Sequence, residues 1–211
     1  MAKKAAKKIQ GELANQVAWV IGARGSLGSA IARRLALAGA HVVMSSRSAR
    51  DLKSVAKDIE RVAPKRTSVA ALDFTSRASV DRVAKSIVRT HSRIDLLVNC
   101  TAAPIFGDFL KLTDEQWDTV LQSKLYGYMR SMRAVIPYML AQGGGAIVNV
   151  SGRGGRQPTP AHLPGSCANI AVNTLTKGLA DVYGPHNIRI NAVAPGPIDT
   201  ARHHAIAQSN S

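Results

Sequence analysis

Aromatic residues are scarce in this 211-residue chain: phenylalanine, tyrosine and tryptophan together make up 4%. Platforms for stacking nucleic-acid bases are therefore few. Cysteine occurs only as Cys100 and Cys167, too few for a disulfide framework and at no metal-ligand spacing. No metal site is expected, and a reducing cytoplasm is the expected compartment. No apolar run approaches the ~18–20 residues of a membrane span, so no membrane partner is expected. The basic opening MAKKAAKKIQ has no apolar stretch behind it and does not read as a secretory signal. Residues 1–13 are expected to form a flexible basic arm and residues 203–211 a C-terminal tail. Carboxylates are few as well: 13 Asp and Glu against 28 Lys and Arg leave a net charge of +15. Such charge attracts phosphates and nucleic acid without selectivity. Because the basic residues are spread over every segment, no specific nucleic-acid partner is expected.

What the chain does contain is alternation. Short apolar runs at 16–21, 41–45, 67–72, 95–99, 145–150 and 188–193 read as strands. Between them lie stretches of helical period. In the first, Leu27, Ala30, Ile31, Leu35 and Ala38 share a face; in the second, Leu52, Val55, Ile59 and Val62 do. A third helix is expected over 76–91. Thr113 and Gln116 have the spacing of a capping box opening a helix over 113–140, and a further helix is expected over 165–183. Strands that are apolar throughout, separated by helices, imply a parallel sheet covered on both faces. The expected fold is α/β: a single Rossmann-type, doubly wound domain over 14–202.

Between the first strand and the first helix lies VIGARGSLGSA. Gly22, Gly25 and Gly28 there allow a tight turn and bring backbone N–H groups close to a pyrophosphate at a helix N-terminus. A carboxylate about 20 residues on, at the end of the second strand, would suit NAD. Here the residues are Ser45, Ser46 and Arg47. An arginine suits a 2′-phosphate, with Arg24 of the glycine loop as its partner, so NADP is expected over NAD.

The glycine loop together with IDLLVNCTA, GGGAIVNVS and IRINAVAPGPIDT resembles the short-chain dehydrogenase/reductase family over residues 14–202. The resemblance places Ile21, Gly22, Ser26 and Gly28 on the family's Thr-Gly-x-x-x-Gly-x-Gly motif, with Leu27 between them and a serine at the middle glycine. It implies adenine contacts from Asp73 and Phe74. It matches Asn99, Cys100, Thr101 and Ala102 to the Asn-Asn-Ala-Gly stretch, and lays Pro195, Gly196, Ile198 and Thr200 along the nicotinamide. The implied function is oxidoreduction at a carbonyl or alcohol group, and the implied partner is a second subunit, identical or homologous, docked through helices 113–140 and 165–183.

The family's catalytic set is absent. Its tyrosine, lysine, serine and asparagine fall on Gly165, Asn169, Gly152 and Lys124, and no Tyr-x-x-x-Lys occurs anywhere. Glycine has no proton to give, and a neutral amide cannot lower a neighbour's pKa as an ammonium does. If carbonyl chemistry occurs, another group must donate; Ser151 and His162 are the candidates, and Lys124 could supply a positive charge. Three readings follow: an NADP-dependent oxidoreductase with a substituted catalytic set, a non-catalytic subunit beside an active homologue, and, on charge alone, a nucleic-acid-binding protein.

Overall fold

The computed structural model describes residues 11–200; the tail expected over 203–211 and residues 1–10 of the arm lie outside them. Gly11–Leu13, which the sequence assigns to the arm, pack against the domain: the Leu13 N–H donates to the Ala38 carbonyl at 2.9 Å.

Six parallel strands form one sheet. They are β1 (Val17–Ile21), β2 (His41–Ser46), β3 (Thr67–Ala71), β4 (Leu96–Asn99), β5 (Gly145–Val150) and β6 (Ile188–Val193). Their order across the sheet is β3-β2-β1-β4-β5-β6. The direction of winding reverses between β1 and β4, and at such a point the crossover loops separate and open a crevice at the strands' C-terminal ends. Helices α1 (Ser26–Leu37), α2 (Ala49–Glu60), α3 (Arg77–His91), α4 (Asp114–Leu121), α5 (Gly127–Ala141) and α6 (Leu163–Tyr183) cover the sheet.

Alternation along each strand divides the core into two layers. Trp19, Ile21, Leu97 and Ile147 face Met132, Val135 and Val172 from α5 and α6. Ala18, Val20, Val42 and Met44 face Ala32 and Ala36 of α1 and Leu52 and Ile59 of α2. The buried face of α1 is made of small residues, Gly28, Ala32 and Ala36, flanked by half-buried Leu27, Ile31 and Leu35. The expected stripe therefore sits slightly off the true one, and Ala30 is exposed. On α2, Leu52 and Ile59 are buried, whereas Val62 lies beyond the helix end and is 45% exposed.

The one long helix expected over 113–140 is interrupted. The capping box of Thr113 and Gln116 forms as its spacing predicts. A π turn then occupies Gln122–Tyr126 before α5 begins. A π turn carries one residue more than an α turn, and such bulges are frequent at functional sites. Here it drives Lys124 inward, where only 7% of the residue remains exposed.

Candidate functional site

A crevice of about 1570 Å³ runs along the C-terminal ends of the strands. Its floor is the turn from β1 into α1. Gly22 has φ +87°, and a Cβ there would overlap the Cys100 carbonyl. A Cβ on Gly28 would overlap the Gly22 carbonyl, so the start of α1 approaches the turn only because both residues are glycine. Gly25 is different: φ is −70° and a Cβ there would meet the Gly22 carbonyl at an ordinary 3.6 Å. Ser26, which the resemblance sets at the middle glycine of the motif, is the first residue of α1 and faces the crevice. The unpaired N–H groups of this helix end are suited to a pyrophosphate. These features fit a dinucleotide.

At one end the crevice is walled by Arg24, Arg47, Ser48, Asp51, Asp73 and Phe74. Asp73 Oδ1 accepts from the Thr75 N–H at 3.0 Å and from its hydroxyl at 2.7 Å. These bonds, the hydroxyl's foremost, hold its carboxyl below the usual carboxylate range. Arg24 is ion-paired, its Nε 3.2 Å from Asp51 Oδ2, so a phosphate there would compete with Asp51 for it. Arg47 is exposed and makes no hydrogen bond or ion pair with any described residue. The buried Ser45 hydroxyl accepts from Trp19 Nε1 at 2.9 Å and is thereby committed to the core.

Asn99 differs from its expected place. It is fully buried and does not line the crevice. Its Nδ2 donates to Asn149 Oδ1 at 2.9 Å and its Oδ1 accepts from Ser131 at 2.8 Å, while Asn149 donates on to Thr176. Asn99 and Asn149 are direct neighbours in the β4–β5 register, and the network fastens α5 and α6 beneath the site. The chain enters the crevice just afterwards, at Cys100, Thr101 and Ala102. Leu27, Pro195, Gly196, Ile198 and Thr200 line it as well.

Of the four positions that the resemblance assigns to a catalytic set, Lys124 lines the crevice, whereas Gly152, Gly165 and Asn169 do not. A Cβ built on Gly165 would overlap His162 Nε2, so the imidazole occupies the space a side chain at 165 would need. His162 Nδ1 lies 2.6 Å from the Ile105 carbonyl and the ring stacks on Phe106 at 4.3 Å. Burial first, then the nearby Lys124 charge, hold its pKa below the ordinary histidine value. A neutral imidazole facing a carbonyl through Nδ1 carries its single proton there, and Nε2 is an acceptor. His162 is not part of the crevice wall. A Cβ on Gly152 would lie 2.9 Å from Asn169 Nδ2, and Asn169 Oδ1 is buried with no hydrogen-bond partner among the described residues. Ser151 lines the crevice, but its hydroxyl turns 3.4 Å toward the Val193 carbonyl. Its own carbonyl accepts from Lys124 Nζ at 2.8 Å. Lys124 lines the same wall, 5.8 Å from the centre of the Tyr128 ring. Tyr128 is fully buried, donates to the Val150 carbonyl at 2.9 Å, and has its phenol pKa driven far up by burial. Gln122, Ser123 and Asp118 also face the crevice, and nothing in their spacing along the sequence marks them for it.

No cluster of metal-binding side chains occurs among the described residues. Nor is any helix among them long and apolar enough to cross a membrane.

A family model described as short chain dehydrogenase matches residues 16–211. Among curated relatives, the human "Dehydrogenase/reductase SDR family member 4" is 36% identical over 190 residues, covering 90% of this chain and 68% of that protein. Among solved structures, a metagenomic short-chain oxidoreductase in complex with NADP superposes with a TM-score of 0.84 at 28% identity, over 93% of this chain and 91% of that one. NAD+-bound xylitol dehydrogenase superposes at 0.85 and 27% identity, over 88% and 71%.

Proposed function

The chain belongs to the short-chain dehydrogenase family of NAD(P)-binding oxidoreductases, and on that premise we propose that it is an NADP-dependent member acting on a carbonyl or alcohol group with a substituted catalytic set. A bound nicotinamide supplies or accepts a hydride. The chain's own residues do the rest. The α1 N-terminus and the Gly22–Gly28 turn hold the pyrophosphate, Asp73 and Phe74 frame the adenine, and Pro195, Gly196 and Ile198 flank the nicotinamide. The observation that carries NADP over NAD is Arg47: exposed, unpartnered among the described residues, and following β2 where no carboxylate stands. Solved relatives hold either cofactor, so the choice rests on this chain. Calorimetric titration tests it. NADPH should bind at least about tenfold more tightly than NADH, since a charge-assisted hydrogen bond contributes about 1.5–3 kcal/mol. Equal affinities would reverse the choice.

A second reading is favoured by the imidazole packed against Gly165: a subunit that binds cofactor without turnover beside an active homologue. Either reading has a docking face on α4–α5 and α6. Tyr126 and Ile170 are exposed there at 41% and 56%, and we propose a dimer, homo- or hetero-, through it. We propose a reducing cytoplasm as the compartment, on the two cysteines of the sequence, too few for a disulfide framework.

A further inference from the structure

We propose that Lys124 is the acid of this site: its ammonium hands a proton to the oxygen of the substrate carbonyl. The inference rests on the dinucleotide-binding reading above and assigns the reacting group within it.

Position comes first. Lys124 stands in the π turn, and the extra residue of that turn carries its side chain into the crevice wall shared with Thr101, Ser151, Pro195 and Gly196. Its Nζ is held 2.8 Å from the Ser151 carbonyl at the end of β5. That acceptor is a neutral carbonyl, which fixes the ammonium in place without taking its proton.

The neighbouring donors are committed elsewhere. The Thr101 hydroxyl donates to the Ser123 carbonyl at 2.7 Å, and the Ser123 hydroxyl to the Val120 carbonyl at 3.1 Å. The Ser151 hydroxyl turns to Val193, and the Tyr128 hydroxyl is sealed in the core against Val150. His162 spends its proton on Ile105, outside the wall. With glycine at 152 and 165 and an amide at 169, Lys124 is the described wall residue that combines a cationic acid with this location.

The step balances. A hydride from a reduced nicotinamide forms the new C–H bond at the carbonyl carbon, and the π pair of C=O moves to oxygen. The oxygen takes a proton from Nζ, breaking N–H and forming O–H. The neutral amine then recovers a proton from water. The carbonyl is reduced to an alcohol and the nicotinamide is oxidised.

The titratable groups around Lys124 are Tyr128 and His162 packed nearby, and Cys100 and Asp118 in the same wall. The test compares wild type with Lys124→Met and Lys124→Arg, all measured for NADPH affinity by calorimetry, reduction of a panel of aldehydes and ketones, and folding by circular dichroism. Methionine keeps the length without charge, and arginine keeps the charge but does not release a proton near neutral pH. NADPH affinity should be unchanged in both variants while kcat falls about 10²–10⁴-fold, the usual contribution of a positioned acid. Wild-type kcat for reduction should decline with rising pH, and its midpoint should coincide with that of the Lys124 Cε resonance in ¹³C-lysine-labelled protein, assigned by its loss in Lys124→Arg. Undiminished turnover in Lys124→Met, loss that follows Cys100→Ser instead, or a wild type that binds NADPH yet reduces nothing on the panel would each overturn the proposal and leave the dinucleotide reading standing. Failure of the wild type to bind NADPH would overturn both.

Discussion

Replacing Gly165 by alanine should change the sign of its effect on stability according to what stands at position 162. Gly165 lies in the first turn of α6, where alanine is favoured over glycine by about 0.5–1 kcal/mol. In the native background the new Cβ overlaps His162 Nε2, so the imidazole must leave. It then loses its bond to the Ile105 carbonyl, about 0.5–1.5 kcal/mol, and its stacking on Phe106, a further ~0.5–1.5. The sum of these terms is a net destabilisation of about 1 kcal/mol. With His162→Ala already in place those losses have been incurred, and Gly165→Ala should stabilise by about 0.5–1 kcal/mol. Urea denaturation of the four proteins at pH 8, followed by far-UV circular dichroism, gives the cycle directly. The expected coupling is about 1–3 kcal/mol; additivity within about 0.4 kcal/mol would refute the packing argument. The same contact governs any attempt to restore a tyrosine at 165: Gly165→Tyr alone should fold poorly, and the change requires prior removal of His162.

Arg47→Asp should weaken NADPH binding at least tenfold and leave NADH nearly unchanged by calorimetry; equal losses would make Arg47 a bystander. Acid should weaken the fold through two histidines. His41 and His162 both have pKa values below 6.5, chiefly through burial, so between the folded value and 6.5 the unfolded chain binds more protons. Stability should therefore be full above about pH 6.5 and decline as the pH falls through that window, and the decline in urea midpoints should shrink in His41→Asn/His162→Asn. Ile170→Glu places a charge on the exposed face of α6 and should shift the protein to monomer in sedimentation, without loss of helicity.

The sheet was legible because most strands are largely apolar runs flanked by helical period, a signal that survives without tertiary information; edge strand β6 instead alternates, burying Ile188 and Ile190 and exposing Arg189 and Asn191. The glycine turn was legible for a related reason: at Gly22 and Gly28 the backbone itself makes the approach, so spacing alone marks the place. Side-chain destinations were harder. Asn99 closes a strand at the lip of the crevice, yet its amide turns inward to Asn149. IDLLVN and GAIVNV each carry an asparagine near the strand end, but that the register sets the two side by side, where they bond each other, is seen only in the folded sheet. Arg24 was readable as a loop cation but not as the partner of Asp51, which comes from another helix. The filling of the space beside Gly165 by His162 depends on how the segment before α6 folds back, and no periodicity encodes that. The interruption at Gln122–Tyr126 contains no glycine or proline, and Gly127 just after it sits within an otherwise continuous helical pattern.

That interruption amounts to a one-residue insertion absorbed within a single turn. An extra residue spread through a regular helix would rotate everything beyond it by about 100° and take the buried face of α5 out of the core. Confined to Gln122–Tyr126, it leaves α4 and α5 in phase with the sheet and changes only what the turn presents. The segment is thus tolerant of length where the helices on either side are not. Removing one residue there would close an ordinary α turn, keep Met132 and Val135 in their places, and withdraw the lysine from the Ser151 carbonyl. Scaffold and reactive group are written into the same helix as separable lengths of chain.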